Sequence, residues 1–458
     1  MDVAFNKIKI TPKDYIGKPL AGYARKEPCL GKLDDIHAYG VLISLNNKTN
    51  LLLISVDILK LPLSIVEYIK RKLILNFEPL TSDLIVIHAT HTHSSFDLTG
   101  EFYYPGGTLA FLKGVIFADN KNDDFIVWMT DRIVRMVVKL FKDLEPCKIA
   151  WKKEKFNPDL VLNRRWPTRK VLPDLAIISF RRLRDSSLIG FIINYACHPT
   201  TLSFQNNKLS AEFPGRIISK IDELTSYSIK SIYFNGPSGD LNPITTSGTN
   251  FEKIDKDKTL TYDQLGTYKH TKEIGGVIAE EALKMLNSIP EANYFANMKI
   301  DVYTRKFLIP QKDAKYFSKV WFSNKIKWVI KKYFLFKLAN FEDKYVNFPF
   351  FTIERKHFKN YIKSLVQFIK VTASNGNTYG IITIPGELFE EIGKNIIKEA
   401  PTSEENTLIF QNSQDWIGYL FPIEMYIREG GYEPFMCFSP LGGAYIEIGT
   451  KKFLKEIK

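Results

Sequence analysis

Short apolar runs typical of β-strands alternate with longer amphipathic stretches typical of α-helices along the whole of this 458-residue chain. The runs that predict strands lie at 38–45, 50–58, 83–90, 175–180, 188–196, 231–236 and 378–384. The stretches that predict helices lie at 63–75, 124–142, 211–224, 272–287 and 387–398. Because elements that alternate in this way pack as sheets covered by helices, the sequence predicts an α/β fold with mixed β-sheets flanked by helices.

A basic and aromatic segment at about 310–350 interrupts this alternation. No repeat of fixed period and no long Gly, Ser or Pro linker divides the chain, so we predict a single domain over 1–458 that carries the segment as an insertion. Within it, residues 315–341 contain seven lysines, nine aromatic side chains and no acidic residue. That pattern is typical of a helix lying on an anionic membrane surface. A surface hairpin that keeps its lysines in water fits it as well.

Composition and charge argue against several classes of protein. The cysteines form no CxxC pair, which argues against a disulfide scaffold or a cysteine zinc ribbon. The net charge of +13 comes without a zinc-finger, RRM or helix-turn-helix signature, so we expect no nucleic-acid partner. The first residues lack the apolar core of a signal peptide, and no uncharged apolar run reaches about 18 residues. We therefore expect a cytoplasmic protein without a membrane-spanning helix, whose one candidate for peripheral contact with an anionic membrane is 315–341.

Polar clusters follow several of the predicted strands. Three of the seven histidines, His88, His91 and His93, come directly after an apolar run. His198 follows a second apolar run, and Glu387 follows a Pro-Gly turn after a third. Because a sheet holds the loops at its strand ends in place, α/β proteins commonly assemble their sites there.

The histidine cluster has the composition of a metal site. In extended backbone, residues two apart face the same side, so His91 and His93 can converge while His88 points away. Imidazole is a common zinc ligand, and a catalytic zinc usually has three protein ligands and one open position. His198 is a candidate distant ligand. Glu387 either completes the set or is the first-turn acid of the following helix, where a carboxylate is favourable.

In their order along the chain, these clusters resemble the motifs of the neutral, non-lysosomal ceramidases and their prokaryotic relatives. The matching stretches are ATHTHS (89–94), ACHPTTL (196–202), SGDLNP (238–243), IPGELF (384–389) and IGYL with GGYE (417–433). The opening stretch 10–23 and the segment LSAEFPG (209–215) are similar to that family too. The resemblance covers about 5–450, apart from the insertion. It implies a ceramidase-like catalytic domain, which we expect to lack the carboxy-terminal β-sandwich and the secretory signal of ceramidases.

The resemblance implies one catalytic Zn²⁺ ion per chain. Carried over residue by residue, its ligands are His91, His198, Glu387 and Tyr419. Tyrosine is an unusual ligand because the pKa of its hydroxyl is ordinarily about 10. A divalent cation favours the phenolate, however, so the ligation is chemically reasonable.

The resemblance also implies which groups face the substrate. His93 and Tyr432 would lie against the scissile carbonyl, although the interval from Tyr419 to Tyr432 is slightly longer than in the family. An arginine belongs nearby, and the stretch LNRRW offers Arg164 and Arg165 without deciding between them.

Together these residues indicate metal-assisted hydrolysis of an amide. A zinc ion lowers the pKa of bound water towards about 7 and polarises the carbonyl, while His93 and Tyr432 would donate hydrogen bonds or move a proton. The chain departs from the family at Asn242, which stands where ceramidases carry a serine in a GDVSP-like turn. Asparagine cannot form an acyl-enzyme, although its amide can hydrogen-bond an oxyanion, and Ser238 lies four residues earlier. The departure favours attack by water and leaves the substrate open.

Three functions are consistent with these residues. The first is a zinc-dependent amidohydrolase that cleaves an N-acylated small molecule or lipid, as in sphingolipid metabolism. The second is another metallohydrolase, acting on an ester or on a non-lipid amide. The third is a non-catalytic binder of lipids or membrane surfaces on the same fold, against which the four carried-over metal ligands argue.

Overall fold

Two mixed β-sheets and the helices that pack on them form most of what the computed structural model describes, namely residues 1–23, 25, 27–45, 49–100, 122–245, 266–310 and 361–457. In chain order, the strands are β1 (Asp2–Lys9), β2 (Gly31–Lys32), β3 (His37–Leu45), β4 (Thr49–Val56), β5 (Ile85–Ala89), β6 (Glu145–Lys155), β7 (Val161–Asn163), β8 (Asp174–Arg182), β9 (Leu188–Tyr195), β10 (Lys208–Leu209), β11 (Lys230–Asn235), β12 (Leu241–Pro243), β13 (Met298–Pro310), β14 (Tyr361–Ala373), β15 (Thr378–Thr383), β16 (Glu387–Leu388), β17 (Thr407–Phe410) and β18 (Tyr419–Leu420). The α-helices are α1 (Leu63–Asn76), α2 (Asp123–Lys142), α3 (Glu212–Leu224), α4 (Tyr268–Asn287), α5 (Glu390–Ile397), α6 (Tyr432–Met436) and α7 (Gly442–Glu456). Single helical turns of other types lie at Ser82–Leu84, Glu291–Asn293, Glu404–Asn406 and Met425–Glu429.

The larger sheet has eight strands in the order β11-β9-β8-β6-β1-β3-β4-β5. Its inner pairs are antiparallel, whereas the pair at each edge, β4 with β5 and β9 with β11, is parallel. The two halves of the sheet meet at a short pairing between β1 and β6, and β11 also contacts β3 and β4. The halves therefore fold towards each other, which brings the loops after β5 and β9 to one region.

Helices cover the larger sheet, which explains why strands such as β4 and β9 are buried on both faces. In β4 every residue from Asn50 to Val56 is buried, as in a strand enclosed on two sides. Helix α2 packs on β1 and β3, and α3 and α4 pack on the other half, against β11 and β8 respectively. At Gly40 the helix lies so close that a Cβ would be 2.8 Å from Cε of Met136, so a larger residue would require the ends of the Met136 and Leu140 side chains to shift.

The second sheet, in the order β13-β14-β15-β17, comes from the later part of the chain. Strands β13 and β14 pair antiparallel over their full length, and β15 and β17 pair in parallel. Residues after β17 then run between the two sheets. The N–H of Gln411 bonds the carbonyl of Asn235 at 3.0 Å, and the N–H of Ala89 bonds the carbonyl of Asn412 at 3.0 Å. Both sheets thus contribute strand ends to the same region.

The structure confirms the α/β class and contains every predicted strand and helix, with ends shifted by a few residues. The helix expected at 387–398 begins only at Glu390, because 387–388 form β16, so Glu387 is not its first-turn acid. Strands β1, β6, β13 and β14 were not predicted, because lysines and other polar residues interrupt their apolar pattern.

The insertion expected at 310–350 falls almost wholly on residues that the structure does not describe. Pro310 ends β13, and the rest of 310–350, including the basic segment 315–341, lies outside the described residues. Within the described ranges, no helix combines the length and the apolar character that crossing a bilayer needs.

Helices α3 and α4 pack closely at Gly275. A Cβ on Gly275 would lie 2.7 Å from Cβ of Arg216 and 3.0 Å from the carbonyl oxygen of Phe213, whereas a Cβ on Gly276 would meet no heavy atom within 4 Å. We expect Gly276→Ala to raise the free energy of unfolding by about 0.5–1 kcal/mol, since alanine is the better helix former. Gly275→Ala should lower it by about 1–3 kcal/mol through overpacking. Thermal unfolding of both variants measures this difference, and equal midpoints would contradict the packing described.

Candidate metal centre

Three buried histidines from two distant parts of the sequence converge. The ring centroids of His91 and His93 are 5.1 Å apart, those of His91 and His198 are 4.7 Å apart, and those of His93 and His198 are 5.1 Å apart. One ring nitrogen from each residue lies within 4.8 Å of the other two, so the three could hold a metal ion. Burial holds the pKa of His93 and of His198 well below the usual value, which keeps both imidazoles neutral and suited to metal ligation.

The loop after β5 orients the first two of these histidines. Strand β5 ends at Ala89, and His91 has a left-handed backbone with φ of 70° while its N–H bonds the carbonyl of Ile58 at 2.9 Å. The two side chains therefore converge through a turn. The sequence analysis expected them to converge in an extended strand, and that expectation was wrong. His88 does point away, as expected. Its ring lies 2.9 Å from Oγ of Ser55, it accepts the N–H of Asn235 at 3.0 Å, and burial lowers its pKa to about 3.

Backbone carbonyls fix the ring orientation of His91 and His198. Nδ1 of His91 lies 2.6 Å from the carbonyl of Leu59, and Nδ1 of His198 lies 3.2 Å from the carbonyl of Ser238. A carbonyl only accepts hydrogen bonds, so each Nδ1 carries a proton, and Nε2 of the neutral ring is the nitrogen that can present a lone pair to a metal ion. This is the arrangement that outer partners impose on histidine ligands of metals.

Glu387 adds a carboxylate to the histidines. Its Oε2 lies 3.2 Å from Nε2 of His91 and 3.7 Å from Nε2 of His198, and its Oε1 accepts the indole N–H of Trp416 at 3.1 Å. Burial raises the pKa of Glu387, but a positive charge on His91, which a bound cation would replace, and the Arg164 guanidinium outweigh burial and leave that pKa below its ordinary 4.5. The carboxylate is therefore ionised and ready to act as a ligand.

Tyr419 stands directly beside Glu387, because strands β16 and β18 pair Glu387 with Tyr419. The ring of Tyr432, the first residue of α6, lies 5.8 Å from the ring of Tyr419. Burial raises the pKa of Tyr419 well above its usual value and raises that of Tyr432 to about 12, and the Glu387 carboxylate acts in the same direction on both. Both phenols are consequently protonated in the protein alone.

The two arginines of the LNRRW stretch take different positions. The guanidinium of Arg164 lies over the ring of Tyr419, 5.1 Å from its centroid, and donates from Nε to Glu433 at 2.8 Å. Arg165 donates to the other oxygen of Glu433 at 2.7 Å and to Glu429 at 2.9 Å. The structure therefore brings Arg164 against a candidate metal ligand and assigns Arg165 to the support of the 429–433 segment.

Asn242 and Ser238 also separate. Asn242 lies in β12 and its Oδ1 accepts a hydrogen bond from Nη1 of Arg164 at 3.3 Å. Oγ of Ser238 is buried and bonds Asn235 and Gln411, at 3.3 Å and 2.7 Å respectively. Only Asn242 of this pair contacts a residue that adjoins Tyr419, and Ser238 contributes through its backbone carbonyl.

The donor atoms fit a divalent cation. Although Nε2 of His91 and Oε2 of Glu387 are buried and close together, neither has a hydrogen-bond partner of good geometry among the described residues. Buried polar atoms that lack such partners are costly unless something else satisfies them. Neutral imidazoles with a carboxylate form the ligand set that zinc commonly takes. Nε2 of His93 lies 3.1 Å from Nε2 of His198. At that distance His93 can either bind the same cation or hydrogen-bond His198 beside it.

Glu212 is a functional residue that the sequence analysis did not single out. This fully buried side chain at the start of α3 accepts the N–H of His93 at 3.0 Å on one oxygen and the N–H of Leu202 at 3.1 Å on the other. It thus connects the loop that carries His91 and His93 to the loop that carries His198. The only sequence signal was its place in the family-like segment LSAEFPG, which gives it no role.

A buried carboxylate in this position should make stability depend on pH. Burial raises the pKa of Glu212 to about 7 from 4.5, so the stability that this group contributes is complete below about pH 4.5 and is lost as the pH rises to about 7. Glu212→Gln mimics the protonated acid. We expect the free energy of unfolding of the variant, taken relative to that of the wild type, to be higher at about pH 8 than at about pH 5, by up to about 3 kcal/mol. Thermal unfolding at both pH values tests this, with the exposed Glu273→Gln as control, and a difference that does not change with pH would contradict it.

Comparisons with known proteins give matches among solved structures. No protein-family model matches this sequence, and no curated protein sequence matches it. The chain is similar over 100% of its length to the crystal structure of neutral ceramidase from Pseudomonas aeruginosa, with a TM-score of 0.72, 14% identity and coverage of 74% of that protein. It is also similar to a ceramidase complexed with C2, with a TM-score of 0.69, 12% identity, and coverage of 100% of this chain and 74% of that one.

The TM-scores show likeness of fold, and the coverage extends that likeness over the whole chain. At identities this low the likeness concerns the fold alone. The expected similarity to the neutral ceramidases is confirmed at this level. The chain therefore has the mixed α/β fold of the ceramidase structures, with a buried histidine triad that could hold a metal ion.

Proposed function

We propose that this chain is a zinc-dependent hydrolase that cleaves the amide bond of an N-acylated, lipid-like substrate. The observation that carries the proposal is the convergence of three buried histidines and the ionised Glu387. Two of the histidines have Nδ1 against a backbone carbonyl, so their free nitrogens face the carboxylate. Nε2 of His91 and Oε2 of Glu387 lie 3.2 Å apart without a hydrogen bond of good geometry among the described residues, and a shared cation would satisfy both atoms.

His91, His198, Glu387 and Tyr419 would hold one zinc ion per chain. When bound, zinc supplies Lewis acidity, which polarises a carbonyl and lowers the pKa of water. The pairing of β16 with β18 fixes Tyr419 beside Glu387, and Arg164 over its ring favours the phenolate that ligation requires. A binder of lipids or membranes has no need of such a set.

His93, Tyr432 and Arg164 would act on the substrate. His93 lies beside His198, where its imidazole can take or give a proton, and Tyr432 carries a protonated phenol that can donate to a developing oxyanion. Asn242 holds Arg164 in place by accepting its N–H. Since asparagine cannot be acylated as a serine can, we infer that water attacks the amide directly.

The surroundings of the site favour an apolar substrate. Trp166, Tyr426 and Tyr432 are half-buried and pack on a small apolar cluster that contains Tyr419. Aromatic side chains next to a reactive centre suit an acyl chain. Ceramide is itself an N-acylated lipid, and both similar structures are of ceramidases. An ester or a non-lipid amide would meet the same groups, so matched amide and ester substrates are needed to separate these activities.

The wider setting of the enzyme is part of the same proposal. We place the activity in one catalytic domain over 1–458, in the cytoplasm, with 315–341 approaching an anionic membrane. Binding of the full chain to anionic but not to neutral vesicles tests the last point.

Metal content is the first test of the centre. We expect about one zinc per chain in wild-type protein purified without chelator, and loss of that zinc in His91→Ala and in Glu387→Ala. His270→Gln is the matched control, because His270 caps the start of α4 and glutamine suits a capping box. Elemental mass spectrometry gives the stoichiometry. A wild type without stoichiometric metal, even after resupply, would rule out the proposed hydrolase.

Tyr432→Phe tests the catalytic assignment separately from metal binding. Removing the phenolic hydroxyl should lower kcat by about 10²-fold or more, because a donor to the oxyanion is lost. Zinc content should not change. The readout is hydrolysis of an N-acyl amide with a fluorogenic amine, with Tyr445→Phe, an exposed residue of α7, as control. Full activity in Tyr432→Phe would remove this residue from the mechanism.

A further inference from the structure

The indole of Trp416 determines which oxygen of Glu387 faces the histidines. Its N–H donates to Oε1 of Glu387 at 3.1 Å, while Oε2 lies 3.2 Å from Nε2 of His91. The two oxygens of one carboxylate therefore have different tasks. One is occupied by a protein donor, and the other is left for the centre.

Contacts from several elements hold the backbone that carries the indole. The carboxylate of Asp415 accepts the backbone N–H of Trp416 and the backbone N–H of Leu63, the first residue of α1, both at 2.7 Å. Its other oxygen accepts Oγ of Ser364 in β14 at 2.7 Å. The residue is 9% exposed, and its ring packs edge-to-face against Phe438 with 5.4 Å between centroids, which restricts the movement of the indole.

A cation lies on the face of the same ring. Nζ of the buried Lys60 is 4.1 Å from the centroid of the Trp416 ring. A positive charge over an indole draws electron density from the ring and makes its N–H a stronger donor. Through the ring, Lys60 thus strengthens the hydrogen bond from the indole to Glu387.

We propose that Trp416, supported by Lys60, is a positioning residue for the metal centre, and that it makes Glu387 bind a cation through Oε2 alone. This rests on the proposed function of Glu387 as a ligand. An indole N–H only donates, so it pairs with the ionised carboxylate and blocks its rotation. Without it, Oε1 would be free to turn towards the cation, and the carboxylate would be less ordered. Outer partners of this kind commonly change metal affinity by about 10–100-fold.

The test is Trp416→Phe, which keeps a ring and removes the donor. We expect its zinc affinity, measured by competition with a chromophoric chelator, to fall about 10–100-fold. The visible spectrum of the Co²⁺-loaded protein should also change, because the carboxylate can then bind through both oxygens. A change of coordination geometry is a readout that mere loosening of the fold would not produce.

Trp151→Phe is the matched control. Trp151 lies in β6 and packs against Tyr379, and its indole N–H has no hydrogen-bond partner among the described residues. It should retain the zinc affinity and the Co²⁺ spectrum of the wild type. If Trp416→Phe does not fold, Trp416→His retains a ring N–H. A spectrum and affinity nearer to the wild type than those of Trp416→Leu, which has no donor, would support the proposal, and equal values in the two variants would overturn it.

The outcomes separate this proposal from the proposed function. Wild-type affinity and an unchanged Co²⁺ spectrum in Trp416→Phe would overturn the role of Trp416 and leave the metal centre standing. A wild type that binds neither zinc nor cobalt would overturn both. A loss equal in Trp416→Phe and Trp151→Phe would show a general effect of tryptophan removal and would also overturn the proposal.

Discussion

The buried carboxylate of Glu212 is the constraint on which the arrangement of the histidines depends. One oxygen accepts the N–H of His93 and the other accepts the N–H of Leu202, so two loops more than a hundred residues apart share one side chain. Glu212 itself has a left-handed backbone, with φ of 52°, held by the bond of its N–H to Ser210. Strain of that kind persists where the surrounding contacts over-determine it. The position of the triad is therefore set by polar contacts in the loops as much as by the sheet.

The same principle recurs around the centre. Four buried carboxyl groups, Asp57, Glu212, Asp240 and Asp415, each accept at least one backbone N–H from another segment, and burial raises the pKa of each. Apolar contacts alone position helices and strands well but leave loop ends free to shift. A carboxylate that accepts several N–H groups fixes a loop end to within a hydrogen-bond length. The protein accepts the cost of burying these groups and obtains defined loop positions.

Sequence reasoning reached the fold and the neighbourhood of the site, and physical reasons mark where it stopped. Continuous apolar runs such as 188–196 identified strands buried on both faces, and the clusters after them identified the strand ends that meet. The pattern could not reveal that His91 takes a left-handed backbone, since no glycine or asparagine marks the position. It could not reveal Glu212 or Trp416 either. Their partners are distant in sequence, and no local pattern distinguishes a glutamate or a tryptophan that holds a loop in place from one on the surface. The different positions of Arg164 and Arg165 likewise depend on where the 429–433 segment lies.

The candidate donor atoms come from residues 91, 198, 387 and 419, two in loops after strands of the larger sheet and two in the β16–β18 pair, and they span most of the chain. A nascent or partly folded chain cannot present them together, because the last two arrive only when β16 and β18 pair. An ion held here would consequently bind the complete fold and no earlier intermediate, and its binding free energy would count wholly towards the native state. Capture of the ion would then be the final event of assembly. Its release would accompany the separation of the β16–β18 pair from the two histidine loops.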